Sequence, residues 1–252
     1  MLNSSPKDGS KRRLDHDAGA LTVAVVGAGR MGRALVRALP AIAGPFGRGF
    51  DGAGYEVILL AVPDGEIAVA AAAVTAGRLV GHCSGAEGLQ VLAPHAAFSI
   101  HPLMTVTGDS AEFGGASAAI AGSSAMALAV ARSLAARLGL QSVEIADADR
   151  PAYHAAASMA ANFLTTLEDA AETLIRTAGG DRAMLVPLVR AAVENWAAVG
   201  GRDALTGPIS RGDDATTARQ RAAVGQRTPE LLELFDVLAA RTRALAATQR
   251  RR

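Results

Sequence analysis

"LTVAVVGAGRMGRALVRAL", Leu21 to Leu39, is the stretch whose reading decides the fold. Leu21 to Val26 is a short apolar run rich in β-branched residues, the pattern of a buried strand. Gly27, Ala28, Gly29, Arg30, Met31 and Gly32 follow at once, and apolar residues then recur at helical spacing. This is GxGxxG set between a strand and a helix, the context in which the pattern points to a dinucleotide. Gly27 permits the tight turn, Gly29 lets backbone approach a pyrophosphate, and Gly32 lets helix and strand pack closely. The helix N-terminus then faces the phosphates.

Three more strands follow the same logic. "YEVILLAVPDGEI" (Tyr55 to Ile67) leaves Ala61, Val62 and Pro63 at its exit, and "RLVGHCSGAEGL" (Arg78 to Leu89) leaves Ser84 and Gly85. "AFSIHPL" (Ala97 to Leu103) places His101 at its exit. Ligands of open α/β sheets bind at the carboxyl ends of the strands, so Ala61, Val62, Pro63, Ser84 and Gly85 join the glycine turn as expected cofactor contacts. "ASAAIAG" (Ala116 to Gly122) is a further strand, a helix runs from Ser123 or Ser124 to Gly139, and "SVEIA" (Ser142 to Ala146) closes the sheet. The second strand is poorly marked: "AIAGPFGRGFDGAG" (Ala41 to Gly54) has room only for a very short one and a loop. Two residues there compete for the adenosine ribose. Asp51 would accept from the 2′-hydroxyl of NAD, and Arg48 would meet the 2′-phosphate of NADP. With Arg30 adding positive charge nearby, the reading favours NADP, with NAD as the alternative.

After Asp147 no strand pattern remains. One long helix is expected from Asp149 to Ala178, a second from Asp181 to Val199 bent at Pro187, a loop around "DALTGPISRGDDATT", and helices over Asp214 to Val224 and Pro229 to Ala247. The expected organisation is a tail over 1–19, an α/β domain with a mostly parallel sheet over 20–147, and a smaller all-helical domain over 148–252.

Inside the long helix, "AYHAAASMAANFLTT" (Ala152 to Thr166) spaces His154, Ser158 and Asn162 four residues apart. At about 100° per residue the three share one face. No Asp, Glu, Lys or Arg lies between Arg150 and Glu168, whereas a solvated face normally carries charge. The uncharged polar stripe therefore predicts a cleft wall.

The 25 basic and 24 acidic residues of this 252-residue chain nearly cancel, which leaves no electrostatic footprint for nucleic acid. Cys83 is the sole cysteine, so no intrachain disulfide forms. The first twenty residues lack an apolar signal core and no run suits a bilayer, so a cytoplasmic protein with no membrane partner is expected. No metal site is expected. Lys7 and Lys11, both in the tail, are the only lysines, so the folded part has none to serve as acid, base or Schiff-base former.

Taken together, "GAGRMG", "AVPDGEI", "GHCSGA", "FSIHPLMTV", "AYHAAASMAANFL" and "ALTGPISRGDDAT" resemble a family of Rossmann-like NAD(P)-binding oxidoreductases whose C-terminal half is a helical domain of unknown function. The wider superfamily includes pyrroline-5-carboxylate reductase, 6-phosphogluconate dehydrogenase and ketopantoate reductase. The resemblance implies a Rossmann-type sheet, a nicotinamide cofactor, a helical domain that forms a homodimer, and an active site in a cleft. Relatives often carry a lysine just before the "YH" pair, where this chain has Arg150. A guanidinium does not release its proton at neutral pH. His154 is then the first candidate for the proton donor and His101 the second, because imidazole titrates near working pH.

On this reading the protein transfers a hydride between NADP and a small carbonyl or imino acid, such as a 2-oxo acid resembling ketopantoate. Ser84 and Gly85 lie near the nicotinamide, Ser158 and Asn162 orient the substrate, and Arg211 clamps a carboxylate, from the partner subunit. Two alternatives remain: a deazaflavin–NADP exchange, and a catalytically silent NADP-binding dimer that senses or scaffolds.

Overall fold

A computed structural model describes residues 21–108 and 111–249; the expected tail at 1–19 lies outside them. The chain divides into two compact units, one ending at Ser158 and one beginning at Met159.

The first unit is built on a seven-stranded sheet. Its strands are β1 (Val23–Val26), β2 (Ala43–Phe46), β3 (Val57–Leu60), β4 (Leu79–His82), β5 (Ala96–Leu103), β6 (Ser117–Gly122) and β7 (Gln141–Glu144). They lie in the order β2-β1-β3-β4-β5-β6-β7, parallel except where β6 pairs antiparallel with β5. Both faces are covered. Val23, Val25, Val57, Leu59, Phe98 and Ile100 point to one core, with α1 (Arg30–Ala38) and α3 (Ala125–Arg137) packed on it. The alternate residues Ala24, Val26, Ile58, Leu60 and Val80 point to the other, under α2 (Ile67–Ala73). Burial on both faces is why β1 and β3 read as unbroken apolar runs. Phe98 needs the glycine beside it: a Cβ on its register partner Gly81 would stand 2.3 Å from Phe98 Cζ. Ser124 caps α3 by accepting from the Ala127 amide at 3.2 Å.

His101 departs from expectation. It is not at a strand exit but inside β5, opposite Ala119 of β6. β5 pairs with β4 only over Ala96 to Ser99, while β6 carries its ladder on to Leu103. That one-sided pairing is also what tolerates Pro102, which has no amide to donate.

The first helix after the sheet belongs to the first unit, so the boundary falls after Ser158 rather than after Asp147. The expected single helix from Asp149 is three segments: α4 (Arg150–Ser158), a π-helical turn (Met159–Phe163) and α5 (Leu164–Arg176). A π turn closes i→i+5 bonds, so the 100° spacing that put Asn162 on the face of His154 does not hold across Met159–Phe163.

The second unit continues with α6 (Arg182–Ala204), α7 (Pro208–Arg211), α8 (Asp214–Arg227) and α9 (Leu232–Gln249). Asp181 and Asp213 cap α6 and α8. α6 runs through Pro187 unbroken; its backbone leaves the helical range at Gly200, whose φ of 78° is open to glycine. The expected loop around Arg211 contains α7, which ends on Arg211 with Gly212 in the left-handed region behind it. Among the described residues, no helix is long and apolar enough to cross a membrane.

Candidate functional site

Two features of the first unit sit at the carboxyl ends of its parallel strands. The first is a cleft of about 420 Å³ lined by Gly27, Ala28 and Gly29, by Ala61, Val62 and Pro63 at the exit of β3, and by the loop after β2. The three glycines differ in what a side chain would meet. Gly27 has φ +112°, and a Cβ there would stand 2.3 Å from the Ala61 carbonyl. A Cβ on Gly32 would overlap the Gly27 carbonyl at 1.8 Å. At Gly29 a Cβ meets nothing within 4 Å, so that glycine faces open space. Gly29 is also the N-cap of α1, and no side chain caps the helix there. First-turn amides are thereby left for an anion, and the turn fits a pyrophosphate. Arg30 is exposed in the first turn of α1, and Met31 packs against the core.

Arg48 and Asp51 part company here. Arg48 lines the cleft and pairs with Glu66 at 3.3 Å, while its side chain is 88% exposed. Asp51 is exposed and engages its own loop: Oδ1 accepts from the Ala53 amide at 2.9 Å. Phe46 and Phe50, stacked with centroids 4.0 Å apart, add an aromatic wall.

The second feature surrounds Gly85, at the exit of β4. A Cβ on Gly85 would stand 2.8 Å from His101 Cε1 and 2.8 Å from His154 Cδ2. The imidazoles of β5 and α4 thus close on this glycine from two sides, with ring centroids 6.0 Å apart and planes at 78°. Tyr153, which the sequence reading passed over, joins them: its hydroxyl and His101 Nδ1 are hydrogen-bonded at 2.8 Å. Burial, then the neighbouring His154 and Arg150, push His101 down to about 4, so its ring is neutral at neutral pH. Burial pushes the Tyr153 phenol up.

Ser84 is spent on shaping this turn. Its hydroxyl accepts from the Ala86 amide at 3.1 Å and the Glu87 amide at 3.0 Å, and its own amide donates to His82 Nδ1 at 3.2 Å. His82, fully buried, is pushed down to about 4 chiefly by burial, with Arg150 second. The Cys83 thiol is pushed up to about 12 by burial, so it remains a thiol and not a nucleophile.

Arg150 was also missed as a participant. Its guanidinium is fully buried and reaches Asp147, the Ser84 carbonyl and Ser99. Dismissing it as an acid hid its value as a tie, although the Asp147–Arg150 spacing of i,i+3 was a readable signal. Of the other expected residues, Ser158 is half-buried at the end of α4, Asn162 is exposed in the π turn, and Arg211 is exposed at the end of α7.

A family model described as a domain of unknown function, DUF2520, matches residues 116–242, half of the chain. The chain belongs to this family. A Rossmann-like domain model matches residues 51–106 of the same DUF2520 chain. A proposed NADP oxidoreductase from Bacteroides fragilis superposes with a TM-score of 0.76 at 16% identity, covering 90% of this chain and 99% of its own. Protein TM1727 from Thermotoga maritima gives 0.76 at 21% identity, covering 91% and 100%. A 1-pyrroline-5-carboxylate reductase from Streptococcus pyogenes gives 0.59 at 14%, covering 89% and 98%. At such identities the likeness shows a shared fold. Comparison with curated protein sequences found no match.

Proposed function

We propose that this DUF2520 protein is an NAD(P)-dependent oxidoreductase that prefers NADP and acts on a small carbonyl or imino acid. The observation that carries the reading is the pair of imidazoles closed on Gly85, in the unit that also bears the open glycine turn. The fold it shares with a proposed NADP oxidoreductase and with a 1-pyrroline-5-carboxylate reductase supports the same class. The preference for NADP is supported by Arg48 lining the cleft while Asp51 is occupied in its own loop.

Gly27, Gly29 and the first turn of α1 would hold the pyrophosphate, and Arg48 would hold the 2′-phosphate once released from Glu66. A bound nicotinamide supplies or accepts the hydride. The chain's task is then to place the substrate and move one proton. His101, held neutral beside Tyr153, has no spare proton to give near pH 7. The donor role in the reductive direction therefore goes to His154, with Tyr153 and His101 fixing the edge of the site it faces. Ser158, in the same unit as His154, would orient the substrate.

A screen of 2-oxo and imino acids with NADPH tests the class, and His154→Ala tests the role. Turnover should fall about 100-fold or more with NADPH affinity nearly intact. Normal turnover and an unchanged pH profile in His154→Ala would remove His154 from the mechanism.

We also propose that the protein works as a homodimer through its helical unit. α6 buries none of its residues, and Leu188 (67%), Trp196 (61%) and Val199 (55%) stand exposed along it. Large apolar side chains exposed along one helix mark an interaction face. Sedimentation equilibrium should give twice the chain mass, and a monomer at micromolar concentration would refute the assembly.

A further inference from the structure

Arg150 is the largest side chain without any exposure among the described residues. Removing a guanidinium from water is costly unless its donors are met. They are met by three separate elements. Nε donates to Asp147 Oδ1 at 2.9 Å, in the turn before α4; Nη1 donates to the Ser84 carbonyl at 3.4 Å, at the exit of β4; Nη2 donates to Ser99 Oγ, within β5. The second oxygen of Asp147 accepts from the Leu89 amide at 3.0 Å, so the same carboxylate also holds the far end of the β4 exit loop. Arg150 opens α4, and Tyr153 and His154 follow at i+3 and i+4, on the same face. The three elements joined by one guanidinium are thus the three that carry Gly85, His101 and His154. A planar fork can span three acceptors in fixed directions, whereas an ammonium is a single point charge.

We propose that Arg150 is the positioning residue of this site: it ties α4 to the β4 exit and to β5, which their own ladder already joins, and so sets the gap between His101 and His154 across Gly85. The consequence for turnover rests on the oxidoreductase reading; the clasp itself can be measured without a substrate. The charge acts as well as the geometry. His101 is faced by His154, Tyr153 and Arg150 from α4, by His82 from β4 and by Asp64 from the turn after β3. Asp64 raises its proton affinity, while burial, His154, Arg150 and His82 lower it.

The test is an NMR titration of the histidines with amide exchange of the Ser84–Glu87 turn, in Arg150→Met, Arg150→Lys and Ser99→Ala. In Arg150→Met the His101 midpoint should rise by about half a unit to one unit, because a nearby cation is lost. The Ala86 and Glu87 amides should exchange about 10-fold faster or more, as a stability loss of one tie permits. Arg150→Lys should keep the midpoint near the wild-type value but not the amide protection, since the charge returns without the fork. NADPH affinity should stay within about two-fold in each variant, because the glycine cleft lies between other strands. With a substrate from the screen, kcat should fall about 30-fold or more in Arg150→Met at similar KM, as expected for reacting groups displaced by part of an ångström. Unchanged midpoint and exchange in Arg150→Met would overturn the proposal, as would complete rescue of protection by lysine. If Arg150→Met does not fold, Ser99→Ala removes one anchor and keeps the charge; faster exchange of the turn supports the proposal and a wild-type pattern overturns it. A failed substrate search would strike the oxidoreductase reading and leave the NMR result standing.

Discussion

Replacing Gly85 by alanine asks how firmly the two imidazoles are held. The new methyl carbon would stand 2.8 Å from His101 Cε1, 2.8 Å from His154 Cδ2 and 2.9 Å from His101 Nε2. Ordinary carbon contacts begin at about 3.5 Å, so each ring must retreat by roughly 0.7 Å. Gly85 does not lie in the left-handed region, so the cost comes from contact and not from the backbone. Neither ring can retreat freely. His101 sits on a strand paired with β6 and is hydrogen-bonded to Tyr153. His154 is fixed through α4 to the buried Arg150. Overpacking of this kind costs about 1–3 kcal/mol. For a chain of this length that corresponds to a fall in Tm of roughly 2–12 °C.

The effect on chemistry should be larger than the effect on stability. A displacement approaching 1 Å in a reacting group costs on the order of 100-fold in rate. NADPH affinity should hold, because the glycine cleft is formed by β1, β3 and the loop after β2. The assays are thermal unfolding, calorimetric titration with NADPH, and NADPH oxidation with the substrate found by screening. Gly85→Ala with unchanged Tm and unchanged turnover would mean that the rings yield freely, and the clasp would not be a built site.

The cradle separates its glycines by what a side chain would meet. Gly29→Val should abolish NADP binding with the fold intact, since that position is open, whereas Gly32→Ala should unfold or distort the first unit; calorimetry and circular dichroism distinguish the two, and an unchanged affinity in Gly29→Val would refute the dinucleotide reading. Arg48→Ala should weaken NADP by about 10-fold and NAD much less, the value of roughly one charge-assisted contact; equal weakening of both would refute the role of Arg48. The buried histidines make stability depend on pH. His82 and His101 are each pushed down to about 4 from 6.5, so the unfolded chain binds protons that the folded one refuses. Stability is full above about pH 6.5 and falls as the pH drops toward 4, by about 2 kcal/mol per histidine at pH 5. Urea melts at pH 7 and pH 5 measure it, and a flat profile would show that the rings are not held neutral.

The fold was legible where its causes are local. β1 and β3 are buried on both faces, and their sequences say so in unbroken apolar runs. Gly32 answers a demand within a few residues, since a Cβ there would overlap the Gly27 carbonyl, and the positive φ of Gly27 is a property of its own turn. The errors arose where a distant partner, or a local change in backbone winding, decides. "SIHPL" looks like a strand ending because it carries a histidine and a proline, and only the antiparallel ladder with β6 keeps it extended. The π turn at Met159–Phe163 leaves no mark in composition, so a single unbroken helix was expected where the backbone changes its winding. Pro187 drew the expected bend, yet the helix breaks at Gly200, where only glycine takes a positive φ readily.

The clasp on Gly85 shows the same limit at the level of chemistry. His154 was legible as a polar residue on an uncharged helix face, and Gly85 as a strand exit. That they touch depends on Arg150, whose charge looked like a reason to set it aside. A buried guanidinium demands acceptors, and Asp147, Ser84 and Ser99 supply one to each of its three nitrogens. Meeting that demand draws α4 onto the paired β4 and β5, and Tyr153 and His154 arrive beside His101 as passengers on that helix. On the proposed mechanism, the residue least able to move a proton is therefore the one whose requirements fix where a proton would be moved.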